Sequence, residues 1–174
     1  MGGERVTARD SVSSRMAPTT PYTEDLAGRD PIDAFRDTLA RFRALVGAWS
    51  PSDFDRSYAP GKWSARQVLV HLAQIELALG TRARLALTTP GYVAQPFDQD
   101  RWMAREGTLG AREALDALLA IGAMNAAFFA SLSPADRAIA FTHPEYGAIS
   151  LDWLVHQMAG HQIHHLKQLE RIAG

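Results

Sequence analysis

The 174-residue sequence contains no cysteine. A disulfide, a cysteine nucleophile and a thiolate metal ligand are therefore all excluded. The sequence also lacks an excess of charge of either sign, because charged residues make up 21% of the chain and the formal net charge is −1. Without a basic stripe, nucleic-acid binding has no electrostatic support, and we expect no nucleic-acid partner.

Long hydrophobic runs are absent as well. No apolar stretch approaches the length of a membrane span, and the first residues lack the apolar core of a secretory signal peptide. We therefore expect no membrane association and a cytoplasmic location. Residues 1–25 are polar and show no periodicity, so they are predicted to be disordered or extended. The remaining residues, 26–174, are long enough for one domain with a sizeable core.

Apolar residues recur every three to four positions in four long segments, and this spacing predicts helices. Asp30 is a good N-cap before Pro31, and Ser64 and Gln67 form the two ends of a capping box. The predicted helices cover residues 31–49, 65–87, 109–132 and 151–172. No segment alternates with a period of two, so strands are not expected. The sequence therefore predicts an all-α protein, an antiparallel four-helix bundle.

A long irregular segment connects the second and third predicted helices, from residue 88 to about residue 107. It contains Phe97, Asp98, Asp100 and Trp102. Long loops in compact domains often cover binding sites. We expect this loop to border a substrate entrance.

Three histidines fall within five residues of the last predicted helix: His161, His164 and His165. His161 and His165 are one helical turn apart on the apolar face, whereas His164 and the earlier His156 project away from it. Two inward imidazoles at this spacing can chelate one metal ion. They can equally form a hydrogen-bonded pair in the core, and spacing alone leaves both interpretations open.

A metal centre with an open position needs a third protein ligand. His71 is the best candidate, because it lies on a predicted helix that should face the last one. Glu76, Asp98 and Asp100 are carboxylates that could orient ligand imidazoles from outside. His143 precedes a proline in a predicted loop and is expected to be solvated.

Four segments, taken in order, resemble the DinB/YfiT-like superfamily. They are KWSARQVLVHL at residues 62–72, QPFD at 95–98, HPEYG at 143–147 and GHQIHHLKQ at 160–168. The resemblance covers roughly residues 21–172. Other metal signatures are absent from the sequence, since no glutamate is followed by histidine three residues later and no His-Glu-x-x-His occurs.

The resemblance implies a four-helix bundle, often dimeric, in which three histidines hold one divalent metal ion such as zinc, nickel or iron. Matched residue by residue, these ligands are His71, His161 and His165. Relatives include thiol S-transferases that use bacillithiol or mycothiol, a thiol-dependent isomerase, and proteins classed as metal-dependent hydrolases. We therefore expect a small-molecule substrate and a homodimer, with a low-molecular-weight thiol as cosubstrate. Hydrolysis and a non-catalytic stress-response bundle with a structural metal are the alternatives. Metal binding is expected to weaken below about pH 6, where free imidazole protonates.

Overall fold

Seven α-helices and one β-hairpin form the part of the chain that the computed structural model describes, residues 17–174. The α-helices are α1 (Thr23–Leu26), α2 (Pro31–Val46), α3 (Ala65–Thr88), α4 (Gln99–Arg105), α5 (Ala111–Ala130), α6 (Pro134–Arg137) and α7 (Leu151–Ala173). Strands β1 (Ala140–His143) and β2 (Gly147–Ser150) precede α7, and a short 3-10 helix, Pro51–Asp55, follows α2.

The helix ends follow the capping signals in the sequence. The Asp30 side chain accepts the N–H groups of Ile32 and Asp33 at 2.9 and 3.0 Å. Ser64 and Gln67 bond reciprocally, side chain to backbone, at 3.3 and 2.9 Å. These bonds satisfy N–H groups that have no partner within the helix, so they define where α2 and α3 begin. The four predicted helices are confirmed as α2, α3, α5 and α7, within about three residues at each end.

These four long helices form a bundle in which α3 packs against α5 and α7, and α2 packs against α7 and α5. The predicted all-α four-helix bundle is confirmed. Arg66 near the start of α3 contacts Leu109 just before α5, and Glu76 further along contacts Asn125. Helices α3 and α5 therefore run in the same direction, so the four-helix bundle is not antiparallel throughout as expected. A parallel pair cannot be joined by a tight turn, which explains the long connection at residues 89–110.

The core lies between these helices. Its largest fully buried side chains are Phe35, Phe42, Leu69, Leu72, Leu118, Phe129, Leu151, Leu154, Met158, Leu166, Leu169 and Ile172. They come from all four helices at the predicted helical spacing. By length and composition alone α5 could cross a membrane. Helices in the core of a protein can have the same length and apolar composition, and here α5 packs on α2 and α3.

The N-terminal prediction needs a correction. Residues 1–16 lie outside the described residues, but the predicted disordered or extended state is wrong for residues 21–25, which form a turn and the start of α1. Thr20 is buried, and α1 packs against α7. The contact is close because Gly160 has no side chain. A Cβ at Gly160 would lie 2.6 Å from the Tyr22 carbonyl oxygen and 2.7 Å from the Tyr22 Cβ.

The expectation of no strands is also wrong. Strands β1 and β2 form an antiparallel hairpin in which Phe141 pairs with Ile149, both buried. Gly147 adopts a φ of +68°, a left-handed conformation that favours glycine in a turn. The connection after α3 adds a bridge, since the N–H of Ala94 donates to the Thr142 carbonyl at 2.9 Å. Strands of four residues are too short for their alternation to be recognised in the sequence.

Candidate metal centre

His71 is positioned by the start of α3. The capping box at Ser64 fixes the first turn, and the residue before it, Trp63, packs its indole 4.9 Å from the His71 ring. His71 then lies on the second turn and is 2% exposed. Its side chain faces α7, because α3 and α7 are neighbours in the bundle.

His161 and His165 come from the middle of α7. The helix begins at Ser150, whose hydroxyl accepts the N–H of Trp153 at 3.0 Å. Leu154, Met158 and Leu166 are buried on the same helix, and the two histidines follow this apolar stripe into the core. Both rings are buried, with their centroids 4.4 Å apart. The inward direction predicted from periodicity is therefore correct.

The structure brings the three predicted ligands together. The Nε2 atom of His161 lies 3.2 Å from Nε2 of His71 and 3.0 Å from Nε2 of His165. The three ligand atoms all lie within 4.8 Å of one another. No fourth histidine, aspartate or glutamate joins this cluster in the described residues 17–174.

The three imidazoles are held neutral. Burial, helped by the charge of His165, lowers the pKa of His71 to about 3. Burial also lowers the pKa of His165 to about 4, and it lowers the pKa of His161 well below its ordinary value. A neutral imidazole carries the lone pair that a metal ion requires.

This arrangement fits a divalent metal ion better than a hydrogen-bonded cluster. Nε2 of His161 faces two other Nε2 atoms, and one proton can satisfy only one of those contacts. The other contact would then bring two ring nitrogens close together without a hydrogen bond between them. Tetrahedral ligands at about 2.0–2.1 Å from an ion lie about 3.4 Å apart, close to the spacing seen here. The triad therefore fits a single ion that accepts all three lone pairs.

One imidazole of the triad is oriented by a chain of hydrogen bonds that ends on a carboxylate. Nδ1–H of His165 donates to the Gln168 side-chain oxygen at 2.9 Å. The Gln168 amide donates to Nε2 of His164 at 3.1 Å, and Nδ1 of His164 lies 3.2 Å from Asp25. With this direction of donation, Nε2 of His165 keeps its lone pair for the metal position. Gln168 thus takes the orienting role that carboxylates were expected to have.

The triad opens onto a cavity of about 680 Å³ between α3, α7, the hairpin and the connection after α3. His71 and His161 line its wall. The connection contributes Pro96, Phe97 and Gln99, and the hairpin contributes His143 and Tyr146. This volume is typical of small-molecule sites.

With this geometry in hand, comparison with known proteins identifies the family. The family model described as the DinB superfamily matches residues 34–169. The chain belongs to the DinB superfamily. The resemblance drawn from the four sequence segments is thereby confirmed.

Two relatives in sequence come from Oceanobacillus iheyensis, and both are named "Putative metal-dependent hydrolase". One is 33% identical over 116 residues, which cover 66% of this chain and 67% of the relative. The other is 27% identical over 131 residues, covering 75% and 76%. These relatives are what the chain resembles in sequence.

Two solved structures share the fold. YfiT from Bacillus subtilis, described as a probable metal-dependent hydrolase with an unusual four-helix bundle topology, superposes with a TM-score of 0.75. It is 22% identical, and the match covers 91% of this chain and 90% of YfiT. A mycothiol-dependent maleylpyruvate isomerase gives a TM-score of 0.66 at 14% identity, over 86% of this chain and 61% of the isomerase.

The carboxylates expected around the ligands lie elsewhere in this DinB-superfamily structure. Asp98 caps α4 by accepting the N–H of Arg101 at 3.0 Å, and Asp100 lies exposed in the same first turn. Glu76 is buried, but it bonds Asn125 and Gln162 rather than an imidazole. A cap and a buried amide network satisfy these groups locally, so none of the three orients an imidazole of the triad.

The predicted long loop is partly helical, because residues 99–105 form α4. Phe97 lines the cavity, and Trp102 packs edge-on against it with the ring centroids 4.9 Å apart. The loop therefore borders the cavity through Phe97, while Trp102 supports Phe97 from outside the lining.

Two other histidines of α7 differ in environment. His164 is half-exposed, but His156 is buried, contrary to the outward position expected for it. Nδ1 of His156 lies 2.9 Å from the carbonyl of Asp152, one turn back, so a local bond satisfies the ring. Neither residue belongs to the ligand cluster in the described part of the chain.

Sequence reasoning missed two polar residues of the cavity, Arg82 and His143. His143 was expected to be solvated, but it is buried with Nε2 3.1 Å from Arg82. Arg82 lies eleven residues after His71, which is three helical turns, and so on the same face of α3. This spacing could have indicated that Arg82 lies near the same cavity as His71, although a single arginine on a helix usually lies in solvent.

Proposed function

We propose that His71, His161 and His165 hold one divalent metal ion and that the chain is a metal-dependent enzyme acting on a small molecule. The favoured reaction is transfer of a low-molecular-weight thiol to a small electrophile. The observation that carries the proposal is the convergence of three neutral imidazoles, two of which, His71 and His161, line the wall of a 680 Å³ cavity. Three protein ligands leave a position for substrate, whereas closed structural sites take four.

Zinc, nickel and ferrous iron all suit three imidazole ligands. When bound, the ion supplies acidity, so that a thiol or a water molecule at the open position ionises near neutral pH. In thiol transfer the thiolate sulfur attacks the electrophilic carbon. A carbon–sulfur bond forms, the bond to the leaving group breaks, and the thiol proton leaves to solvent through the cavity.

The acidity of thiols and one feature of the cavity favour a thiol over water. Water requires a much larger lowering of its pKa than a thiol does, and metallohydrolases often add a carboxylate base beside the metal. Among the residues that line this cavity the single carboxylate is Glu145, which is exposed next to His143. The chain itself has no cysteine, so the sulfur must come from a cosubstrate. The mycothiol-dependent isomerase with the same fold is consistent with such a cosubstrate.

Aromatic residues surround the triad and the cavity beside it. Trp63 covers His71 on one side, and the Tyr22 ring lies 5.1 Å from the His161 ring. Phe97 and its neighbours in the connection form the cavity wall opposite the helices. These aromatic groups limit access of bulk water, which preserves a thiolate for the electrophile.

Hydrolysis is the second candidate, supported by the names of the relatives from Oceanobacillus iheyensis. It would use the same three ligands with water in place of the thiol. A homodimer, a cytoplasmic location and the absence of nucleic-acid and membrane partners are further parts of the proposal, on the sequence arguments given above.

The test is a paired activity screen of the metal-loaded protein. Bacillithiol, mycothiol and glutathione are each offered with a chlorinated aromatic electrophile, and a panel of esters and amides is assayed in parallel. We expect a thiol conjugate that disappears in His161→Asn and persists in the control His156→Asn. Cleavage of esters or amides alone would assign the hydrolase. If both activities are absent and the ion has a fourth protein ligand, the protein is a non-catalytic bundle with a structural metal.

A further inference from the structure

We propose that Arg82 and His143 form a carboxylate-binding subsite at the far end of the same cavity. The ligand of this protein is then an elongated small molecule with an apolar middle and one anionic end. Its assignment as the substrate rests on the proposed function, whereas the anion subsite rests on Arg82 and His143 alone.

Arg82 is a buried cation without a carboxylate partner. It is 7% exposed, and no aspartate or glutamate forms an ion pair with it in the described residues 17–174. Its guanidinium donates to the carbonyl of Gln95 and faces His143, which leaves further N–H groups available. By contrast Arg137, which is less buried, pairs with Asp152 at 2.6 Å. Buried charges are normally paired, and the remaining N–H groups of Arg82 are suited to bind an anion.

His143 strengthens this reasoning because it is surrounded by donors. The backbone N–H groups of Glu145 and Tyr146 point at Nδ1 from 3.2 and 3.4 Å. A guanidinium nitrogen of Arg82 lies 3.1 Å from Nε2. A neutral imidazole accepts at only one nitrogen, so one of these contacts places a donor against a donor. A carboxylate oxygen between Arg82 and Nε2–H would accept from both.

The subsite and the metal centre lie at opposite ends of one wall. His71 and Arg82 are eleven residues apart on α3, about 16 Å at 1.5 Å per residue. Between them Ile75 and Leu79 face the same cavity. A ligand that reaches from the metal centre to the subsite must span this length and carry an apolar middle section.

The facing helix, α7, runs along the same cavity from the metal end to the hairpin end. α7 contributes His161 at the metal end and Trp153 near the hairpin, with Leu154 and Gln157 in the lining between them, so one polar side chain lies in an otherwise apolar section. Glu145 also lines the hairpin end, but it is exposed and makes no ion pair with Arg82 in the described chain. The guanidinium is therefore free to bind a carboxylate that enters along the apolar section.

The test compares straight-chain alkanoates of four to ten carbons with alkanols of the same length. Binding is measured by titration calorimetry at low salt, with both metal-loaded and metal-free protein. We expect the wild-type protein to prefer the carboxylate by about 10–100-fold at the best length, the effect of a charge-assisted bond to a buried arginine. Arg82→Gln should lose this preference while alkanol affinity stays near wild type.

Arg66→Gln is the matched control. Arg66 is also on α3 and half-buried, and it also donates to a backbone carbonyl, that of Leu109, but it does not line the cavity. This variant should keep the full preference. Arg82→Lys retains the charge without the planar fork, so it should keep part of the preference and separates loss of charge from damage to the fold.

Equal binding of alkanoates and alkanols by the wild-type protein would overturn the subsite, as would failure of both to bind. Persistence of the preference in Arg82→Gln would overturn it too. A carboxylate preference that survives in metal-free protein supports the subsite even when the metal centre fails. Metal binding by the triad without any carboxylate preference would instead leave the proposed function standing and remove the subsite.

Discussion

Glu76 offers a quantitative test of the core, because it is an ionisable group with no exposed surface. Its carboxylate accepts the side-chain amides of Asn125 at 2.8 Å and Gln162 at 2.7 Å. Burial raises the pKa of Glu76 from 4.5 to about 7, although both amide bonds oppose the shift. Ionised Glu76 is therefore a cost to the folded state near neutral pH.

The sign and size of the effect follow from linkage. Between pH 4.5 and about 7 the folded protein binds a proton at Glu76 that the unfolded chain has released. The stabilisation from this proton is complete below pH 4.5 and is lost as the pH rises to about 7. At 1.36 kcal/mol for each pKa unit, the loss is about 3 kcal/mol.

The perturbation is Glu76→Gln, which keeps the shape and removes the titration. The new amide can still accept from one neighbour. It can donate to the side-chain oxygen of Gln162, a buried atom without a partner in the structure, once that amide turns over. We expect the variant to match the wild-type protein near pH 4.5 and to exceed its free energy of unfolding by up to about 3 kcal/mol above pH 7.

The assay is urea unfolding of metal-free protein, followed by circular dichroism from pH 4.5 to 8.5. The histidines titrate identically in both proteins, so the difference between the two curves isolates Glu76. Glu113→Gln, an exposed glutamate of α5, is the control and should show no such difference. A pH-independent difference, or a variant less stable than wild type at pH 8, would refute the reasoning.

Four further predictions concern the triad and its supports. Because burial lowers the pKa of His71 to about 3 and of His165 to about 4, metal affinity measured by competition should hold to about pH 4.5 rather than fall at pH 6. In the metal-free protein the unfolded chain binds these protons first, so urea unfolding should show stability falling as the pH drops below 6.5. Gln168→Leu should raise the metal dissociation constant about 10–100-fold, and an unchanged constant would exclude its orienting role. Gly160→Ala forces the Tyr22 backbone away and should lower the free energy of unfolding by about 1–3 kcal/mol, measured in urea.

Much of the fold and the triad could be predicted because the signals are local. Helical periodicity placed His161 and His165 on the inner face, and a capping box placed the start of α3. Two helices that share a core then bring His71 opposite the α7 pair. These features depend on spacing of three to four residues and on side-chain bonds within one turn.

The rest could not be predicted because it depends on distant contacts. The hairpin is held by pairing across a turn and by the bridge from Ala94 to Thr142, neither of which leaves a periodic pattern. Arg82 looks like a surface residue until the hairpin places His143 above it. Asp98 and Glu76 have the right chemistry to orient a ligand, but a helix cap and two amides satisfy them first.

Metal content of the triad variants tests the central claim most directly. The untagged wild-type protein, His161→Asn/His165→Asn and the control His156→Asn are loaded with zinc, nickel or ferrous iron, desalted and measured by elemental analysis. His156→Asn retains a donor for the Asp152 carbonyl and changes a buried histidine of the same helix. We predict about one ion per chain in the wild type and the control, and almost none in the double variant. Full metal content in the double variant, or none in the wild type, would contradict the assignment of His71, His161 and His165.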